Sequence, residues 1–343
     1  LCNDMRIHSI VLLSLACLSA PAGGLRAAVA VSLEPSYPAP GFVGDTVIWE
    51  AAVSDPAPGT LWCRFRVRPP GGVFQTVIDY GPEPSFQWTP FEREGRYEVE
   101  VSARNRNTGE ERSVLELYDV LSRVEEGGTP VISPTFHPLV FLYSAPECAV
   151  DGRMRVEFWS ERGDRVATPA KPCAAGRSMN FLLAGMYREA EYTVRHIVET
   201  RGGEEPGPSL AFTALPFAVY FNTYRVRTPA SSAALPLLLQ STTQGGKASA
   251  TDLQGNLLWF YPGALNALTR PVAGGTFLGI LQRPSSNSSY QVVREFDLVG
   301  TTLRETNAAR VSEQLQAMGK AGISAFHHEA DSLPNGRIVV LAA

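Results

Sequence analysis

The sequence predicts an all-β protein: two antiparallel sandwiches followed by an array of repeated four-stranded sheets. Three observations predict it. From Val29 to about Val120, short alternating runs are separated by Pro, Gly, Asp and Asn with no helical period. A second region of the same texture follows the linker Ser122–Pro134. After Pro216, two different hairpin patterns recur in the same order.

In the first region the strands are read in "TVIWEAAV", "LWCRFRV", "FQTVIDY", "FQWTP" and "YEVEVSARN". Tyr97, Val99 and Val101 fall on one face and Glu98 and Glu100 on the other, the alternation of a half-buried strand. Trp49 and Trp62 are candidate core residues. Cys63 shares a face with Leu61 and Phe65, which predicts a buried, inert thiol. Residues 29–121 therefore read as an immunoglobulin-like sandwich without the inter-sheet disulfide. Residues 122–215 form the second sandwich, with strands in "MRVEFWS", "MNFLLAGM", "AEYTVRHIVET" and "PSLAFTAL". Its closing pattern resembles the last strands of fibronectin type III domains. His196 shares a face with Tyr192, Val194 and Val198 and reads as a packed strand residue, as does His137 in "SPTFHPLVF".

In residues 216–343, "ATDLQGNLLWFYP" from Ala250 recurs as "EFDLVGTTLRET" from Glu295. "PVAGGTFLGIL" from Pro271 recurs as "SLPNGRIVVLA" from Ser332, with Gly275 matching Gly336. Gly274-Gly275 and Asn335-Gly336 predict two-residue hairpin turns with positive backbone torsions. Such units are the size of β-propeller blades, and this stretch holds two and the first half of a third. A propeller closes with roughly four to eight. The sequence thus reads as a truncated propeller within a longer protein.

Met5-Arg6 followed by "IVLLSLACLSA" has the layout of a secretory signal peptide over residues 1–28, with Met5 as the start. A lipoprotein signal at Cys17 is the alternative. Either predicts export to the periplasm or the extracellular space. No segment is long and apolar enough to read as a membrane span. In an oxidising compartment Cys148 and Cys173 form the expected disulfide, closing a loop of about 25 residues, and Cys63 is left over. The cysteine spacing excludes a zinc motif, so no metal is expected. The net charge of -4 and the scattered Lys and Arg argue against a nucleic-acid surface. "STTQGGKAS" around Lys247 lacks the residues of a phosphate loop, and Asn287-Ser288-Ser289 reads as a polar loop.

The remaining signal is "FHHEADSL". On a regular strand His327 would face with Glu329, and His328 with Phe326 and Ala330, so only one imidazole could line a channel and a zinc pair would diverge. With the exported leader, the N-terminal sandwiches and "ATDLQGNLLWFYP", the segment "FHHEADSLPNGRIVVLA" resembles the bacterial aryl-sulfate sulfotransferases (arylsulfotransferases). The resemblance covers Pro216–Ala343 well and the sandwiches only loosely. It implies a six-bladed periplasmic propeller that moves a sulfuryl group from an aryl sulfate donor to a phenol acceptor through a sulfohistidine. No nucleotide donor or other cofactor takes part. It implies that His328, or failing that His327, is a channel histidine acting as acid, base or sulfate holder. The sulfated histidine and the sulfate-binding arginine would come from later blades, so this stretch taken alone would be inactive. The alternative is a non-enzymatic exported adhesion or scaffold protein whose sandwiches and propeller present binding surfaces. Donor, acceptor and oligomeric state are not encoded in any motif here.

Overall fold

A computed structural model describes residues 28–343 except 126, 162–164, 218–236, 242–247, 266 and 283–286. The predicted leader with Met5 and Cys17, and the Gly246-Lys247 stretch, lie outside the described residues. The described chain is all-β apart from one α-helix and one 3-10 turn.

The first sandwich comprises β1 (Ala30–Pro35), β2 (Gly41–Phe42), β3 (Val47–Ser54), β4 (Leu61–Arg68), β5 (Gln75–Gly81), β6 (Ser85–Trp88), β7 (Gly95–Asn105) and β8 (Glu111–Leu121). One sheet has the order β1-β3-β6, and the other runs β2-β8-β7-β4-β5. First, second and fifth long strands facing third, fourth, sixth and seventh is the arrangement of immunoglobulin-like and fibronectin type III modules. Alternation dictates the core: β3 buries every other residue, and Trp49, Phe65, Val99 and Val101 close it. Cys63 is buried among them, and burial pushes its thiol up to about 11, keeping it protonated and unreactive. Trp62 is equally buried on the opposite face of β4, where the Arg106 guanidinium lies 3.9 Å from its ring centroid.

The second sandwich comprises β9 (Val131–Pro134), β10 (Phe141–Ala145), β11 (Arg153–Trp159), β12 (Val166–Ala167), β13 (Lys171–Pro172), β14 (Met179–Leu183), β15 (Glu191–Thr200), β16 (Gly203–Pro206) and β17 (Leu210–Thr213). A β9-β10-β14 sheet faces a β11-β15 sheet with short flanking strands. Both sandwiches carry a tyrosine corner, near the start of β7 in the first and of β15 in the second. Tyr97 donates its hydroxyl to Arg93 O at 2.8 Å, and Tyr187 N donates to the Tyr192 hydroxyl at 2.8 Å. His196 is buried and bonded through Nδ1 to the Tyr143 hydroxyl at 2.8 Å, a packed strand residue whose burial lowers its basicity. Cys148 and Cys173 are joined by a disulfide.

The third region comprises β18 (Leu237–Gln240), β19 (Ser249–Asp252), β20 (Leu257–Phe260), β21 (Ala267–Val272), β22 (Thr276–Leu281), β23 (Val292–Phe296), β24 (Thr302–Asn307), α1 (Ala308–Ala317), β25 (Phe326–Ser332) and β26 (Ile338–Ala342). β18-β19-β20 is a three-stranded sheet, β21 to β24 form a four-stranded meander, and β25-β26 is a hairpin packed on β21 and β22. The repeat read from sequence is present in the backbone, with one correction to the turns. All four hairpins use three-residue loops in place of two-residue ones, and each loop ends in a glycine at positive φ: Gly255 (88°), Gly275 (85°), Gly300 (94°) and Gly336 (77°). Each glycine N–H donates to the carbonyl three residues back, that of Asp252, Val272, Asp297 or Leu333. In the β21–β22 loop Gly274 (103°) takes positive φ as well, as the sequence predicts, whereas in the β25–β26 loop Asn335 stays out of that region and Gly336 alone enters it.

The three regions are tied together. Leu142 of β10 is buried in the core of the first sandwich, 2.5 Å from where a Cβ on Gly44 would sit. Val140 belongs to the core of the third region, and buried His137 donates from Nε2 to Phe260 O at 2.7 Å while Leu139 N–H donates to its Nδ1. β24 pairs in parallel with β5 at Glu305 and Ile78, making one nine-stranded sheet of β2-β8-β7-β4-β5-β24-β23-β22-β21. α1, capped by the Asn307 side chain, clamps this seam through Arg310–Asp79 and Glu313–Arg104 ion pairs.

Candidate functional site

The two histidines singled out in the sequence lie on β25, and the structure corrects how they face. Phe326 pairs with Ala342 and Ala330 with Val340, so three residues of β25 stand opposite one of β26. This bulge breaks the period of two. Phe326 and Ala330 both point inward, buried with Leu278, Ile280 and Val293. His327, His328 and Glu329 are all exposed, and the imidazole centroids lie 5.9 Å apart. Both imidazoles, rather than one, are therefore open to a common reactant. Glu329 holds Arg270 Nε at 3.0 Å, with Asp331 3.9 Å away, so two carboxylates already neutralise that guanidinium. Among the described residues no group of three or more His, Cys, Asp or Glu is placed to hold a metal ion.

A second site was not legible in the sequence. Where the three regions meet, a cleft of about 560 Å³ opens. Trp88 and Phe91 of the first sandwich, Phe181 and Leu182 of the second, and Leu298 and Leu303 of the third give it apolar walls. Its charged residues are Glu92, Arg93, Lys171 and Asp297. Lys171 Nζ donates to Asn180 O at 2.8 Å, and Arg93 Nη1 to Pro70 O at 3.0 Å. Glu92 projects into solvent, its side chain 79% exposed and 3.9 Å from Lys171.

Asp297 is buried at the cleft and caps its own hairpin turn. Its Oδ1 accepts from the N–H groups of Val299 (2.9 Å), Gly300 (3.0 Å) and Thr301 (2.9 Å). Asp252 does the same in the equivalent turn, accepting from Gln254 N and Asn256 N. Burial outweighs these bonds at Asp297 and pushes its carboxyl up to about 6 from 3.8. The sign follows from linkage. Between pH 3.8 and about 6 the folded state binds the proton that the unfolded state has lost, so stability falls as pH rises through this window. Asp297→Asn is expected to be flatter between pH 4 and 6, gaining on the parent as pH rises through that window, with the difference level above about 6. Urea unfolding of both proteins at pH 4, 5, 6 and 7 checks this, and parallel pH profiles would contradict it.

No known protein family matches the sequence, and no curated protein matches it. Solved structures similar to the chain include the FN1–FN3 domains of chicken CNTN1, at 10% identity and TM-score 0.21, covering 51% of this chain and 65% of that one. The chicken interferon gamma receptor alpha chain matches at 12% identity and TM-score 0.22, over 53% of this chain and 98% of its own. A two-domain fibronectin type III segment of chicken tenascin matches at 18% identity and TM-score 0.22, over 53% and 97%. Among the described residues no helix is long and apolar enough to cross a membrane.

Proposed function

We propose that this protein is an exported propeller enzyme that transfers a sulfuryl group from an aryl sulfate to a phenol, with β19 to β26 belonging to its first blades. The observation that carries the reading is the β25 bulge, which turns His327 and His328 to one open face beside Glu329. The four like hairpin loops support successive copies of one sheet unit. The Cys148–Cys173 disulfide supports an oxidising compartment, periplasmic or extracellular.

In the proposed reaction an imidazole nitrogen attacks sulfur, the aryl oxygen–sulfur bond breaks, and the departing phenolate takes a proton from a nearby acid. The acceptor phenol then loses its proton to a base, its oxygen attacks sulfur, and the nitrogen–sulfur bond breaks to restore the imidazole. His328, or His327 in its place, serves as that acid and base or holds the sulfuryl oxygens. The resemblance assigns the sulfated histidine and the sulfate-binding arginine to later blades, and Arg270, neutralised by Glu329 and Asp331, does not replace that arginine.

The intact protein is expected to release 4-nitrophenol from 4-nitrophenyl sulfate in a phenol-dependent manner, and His328→Ala to slow release by roughly 10²–10⁴-fold. Folded protein that releases no nitrophenol overturns the reading. A second reading, an exported binding or scaffold protein without enzymatic activity, is favoured by the cleft between the three regions, which lies apart from both histidines.

A further inference from the structure

We propose that the cleft at the junction of the three regions binds a small planar aromatic anion, such as an aryl sulfonate, sulfate or carboxylate. The size and shape come first. A volume of about 560 Å³ lies inside the range of roughly 300–1,000 Å³ that small-molecule sites occupy, and such sites have mostly apolar walls with few polar groups. Half-buried Phe91 and the edge of Trp88 line one side, and on the other Phe181 lies buried beneath Lys171, whose Nζ is 5.2 Å from its ring centroid. Leu298 and Leu303 form the wall opposite, on the third region.

The sign of charge follows from which groups are already committed. Asp297 spends its Oδ1 on three backbone N–H groups of its own turn. Glu92 lies in solvent, where its attraction for Lys171 is screened. Lys171 carries three donors and commits one, to Asn180 O. Arg93 carries five and commits one, to Pro70 O. Lys171 and Arg93, from two different sandwiches, therefore keep donors free beside the apolar walls, while Asp297 is buried in its own turn and Glu92 stands out in solvent. An anion on an aromatic body matches both features. A neutral ring would leave these donors unanswered, and a fully polar anion would leave the apolar walls wet.

Leu303 lines the cleft from β24 and is 40% exposed, so its side chain can be changed without opening a core. The inference does not rest on the transferase reading: neither histidine of β25 lines the cleft.

The test uses 2-naphthalenesulfonate as probe, titrated into the intact protein and followed by tryptophan fluorescence and calorimetry, with neutral 2-naphthalenemethanol as the comparison. The expected result is saturable one-to-one binding of the sulfonate, at least tenfold tighter than the alcohol. Lys171→Gln should weaken the sulfonate at least tenfold while changing the alcohol less than threefold, and Leu303→Glu should weaken the sulfonate at least tenfold and the alcohol by a smaller factor. Leu303→Glu is the safer variant, since an exposed position accepts a carboxylate without loss of folding; cooperative thermal unfolding verifies both. Absence of saturable binding, equal affinity for the alcohol, or sulfonate binding indifferent to both substitutions overturns the proposal. Nitrophenol release unaffected by Leu303→Glu would separate this site from the histidine face, and loss of release in His328→Ala with naphthalenesulfonate binding intact would do the same from the other side.

Discussion

Glu305→Leu is expected to lower the free energy of unfolding by about 3–5 kcal/mol, the largest loss among the substitutions considered. Glu305 sits on β24 with its side chain 2% exposed, against the guanidinium of Arg294 on β23 at 2.5 Å. Arg294 also donates to the Tyr261 hydroxyl at 2.9 Å, so the pair is part of a buried network. Burial alone would favour a neutral Arg294; the adjacent carboxylate and phenol hold its pKa above the usual arginine value. Removing the carboxylate leaves an uncompensated cation in the protein interior, where it cannot recover its hydration. The cost reaches beyond the sheet unit, because Glu305 is also the residue whose backbone pairs with Ile78 across the seam between the first sandwich and the third region. The double variant Arg294→Met with Glu305→Leu should regain most of the loss, since two well-packed apolar side chains no longer bury a charge. Urea denaturation with the slope unchanged measures both effects. A Glu305→Leu protein within about 1 kcal/mol of the parent would show that the Arg294 site admits water.

The parts of this fold that were legible in the sequence are those governed by the period of two. In β7 the buried and less buried residues alternate as Tyr97, Val99 and Val101 against Glu98 and Glu100, as the text of the strand predicts. The third region was legible at the level of its hairpins, because the glycine that ends each loop is local chemistry. Even there the turn length was misread. Both pairs suggested two positive-φ residues in two-residue turns; Gly274 and Gly275 do both take positive φ, but in a three-residue loop, and at Asn335-Gly336 only the glycine does. The direction of His327 and His328 was not legible, since a bulge leaves every residue type unchanged and alters only the pairing. The helix α1 carried local signals, with Asn307 as cap and Gly319 at positive φ after its end, but these were hidden by the expectation of continuous sheets.

What no local pattern could reveal is the seam. Arg104 meets Glu313, Asp79 meets Arg310, and Leu142 enters a core formed mainly by residues before position 121, all contacts across long separations in sequence. The cleft has the same origin: each wall is an ordinary edge of its own region, and only their meeting makes a cavity.

The disulfide offers the second large effect and tests how independent the regions are. Cys148 follows β10 and Cys173 follows β13, with Cα atoms 5.3 Å apart and a sequence separation of 25. The bridge ties the β9-β10-β14 sheet to the edge of the opposing one, where β12 and β13 are only two residues long and add little pairing of their own. Closing a loop of this length removes chain entropy from the unfolded state worth about 3 kcal/mol. The Cys148→Ala, Cys173→Ala double variant should therefore lose about that much in the second sandwich. Because Leu142, next along β10 from Phe141 of that sandwich's own core, fills the first sandwich, part of the loss should pass across the junction. Hydrogen exchange resolved by peptide reads this directly: protection should drop most in β10 to β15, to a lesser extent in β3 and β7, and least in β22 and β23. Protection that falls only within the second sandwich would show that Leu142 fills the first core without linking the stability of the two. An unchanged second sandwich would show that its core alone holds the edge that the bridge spans.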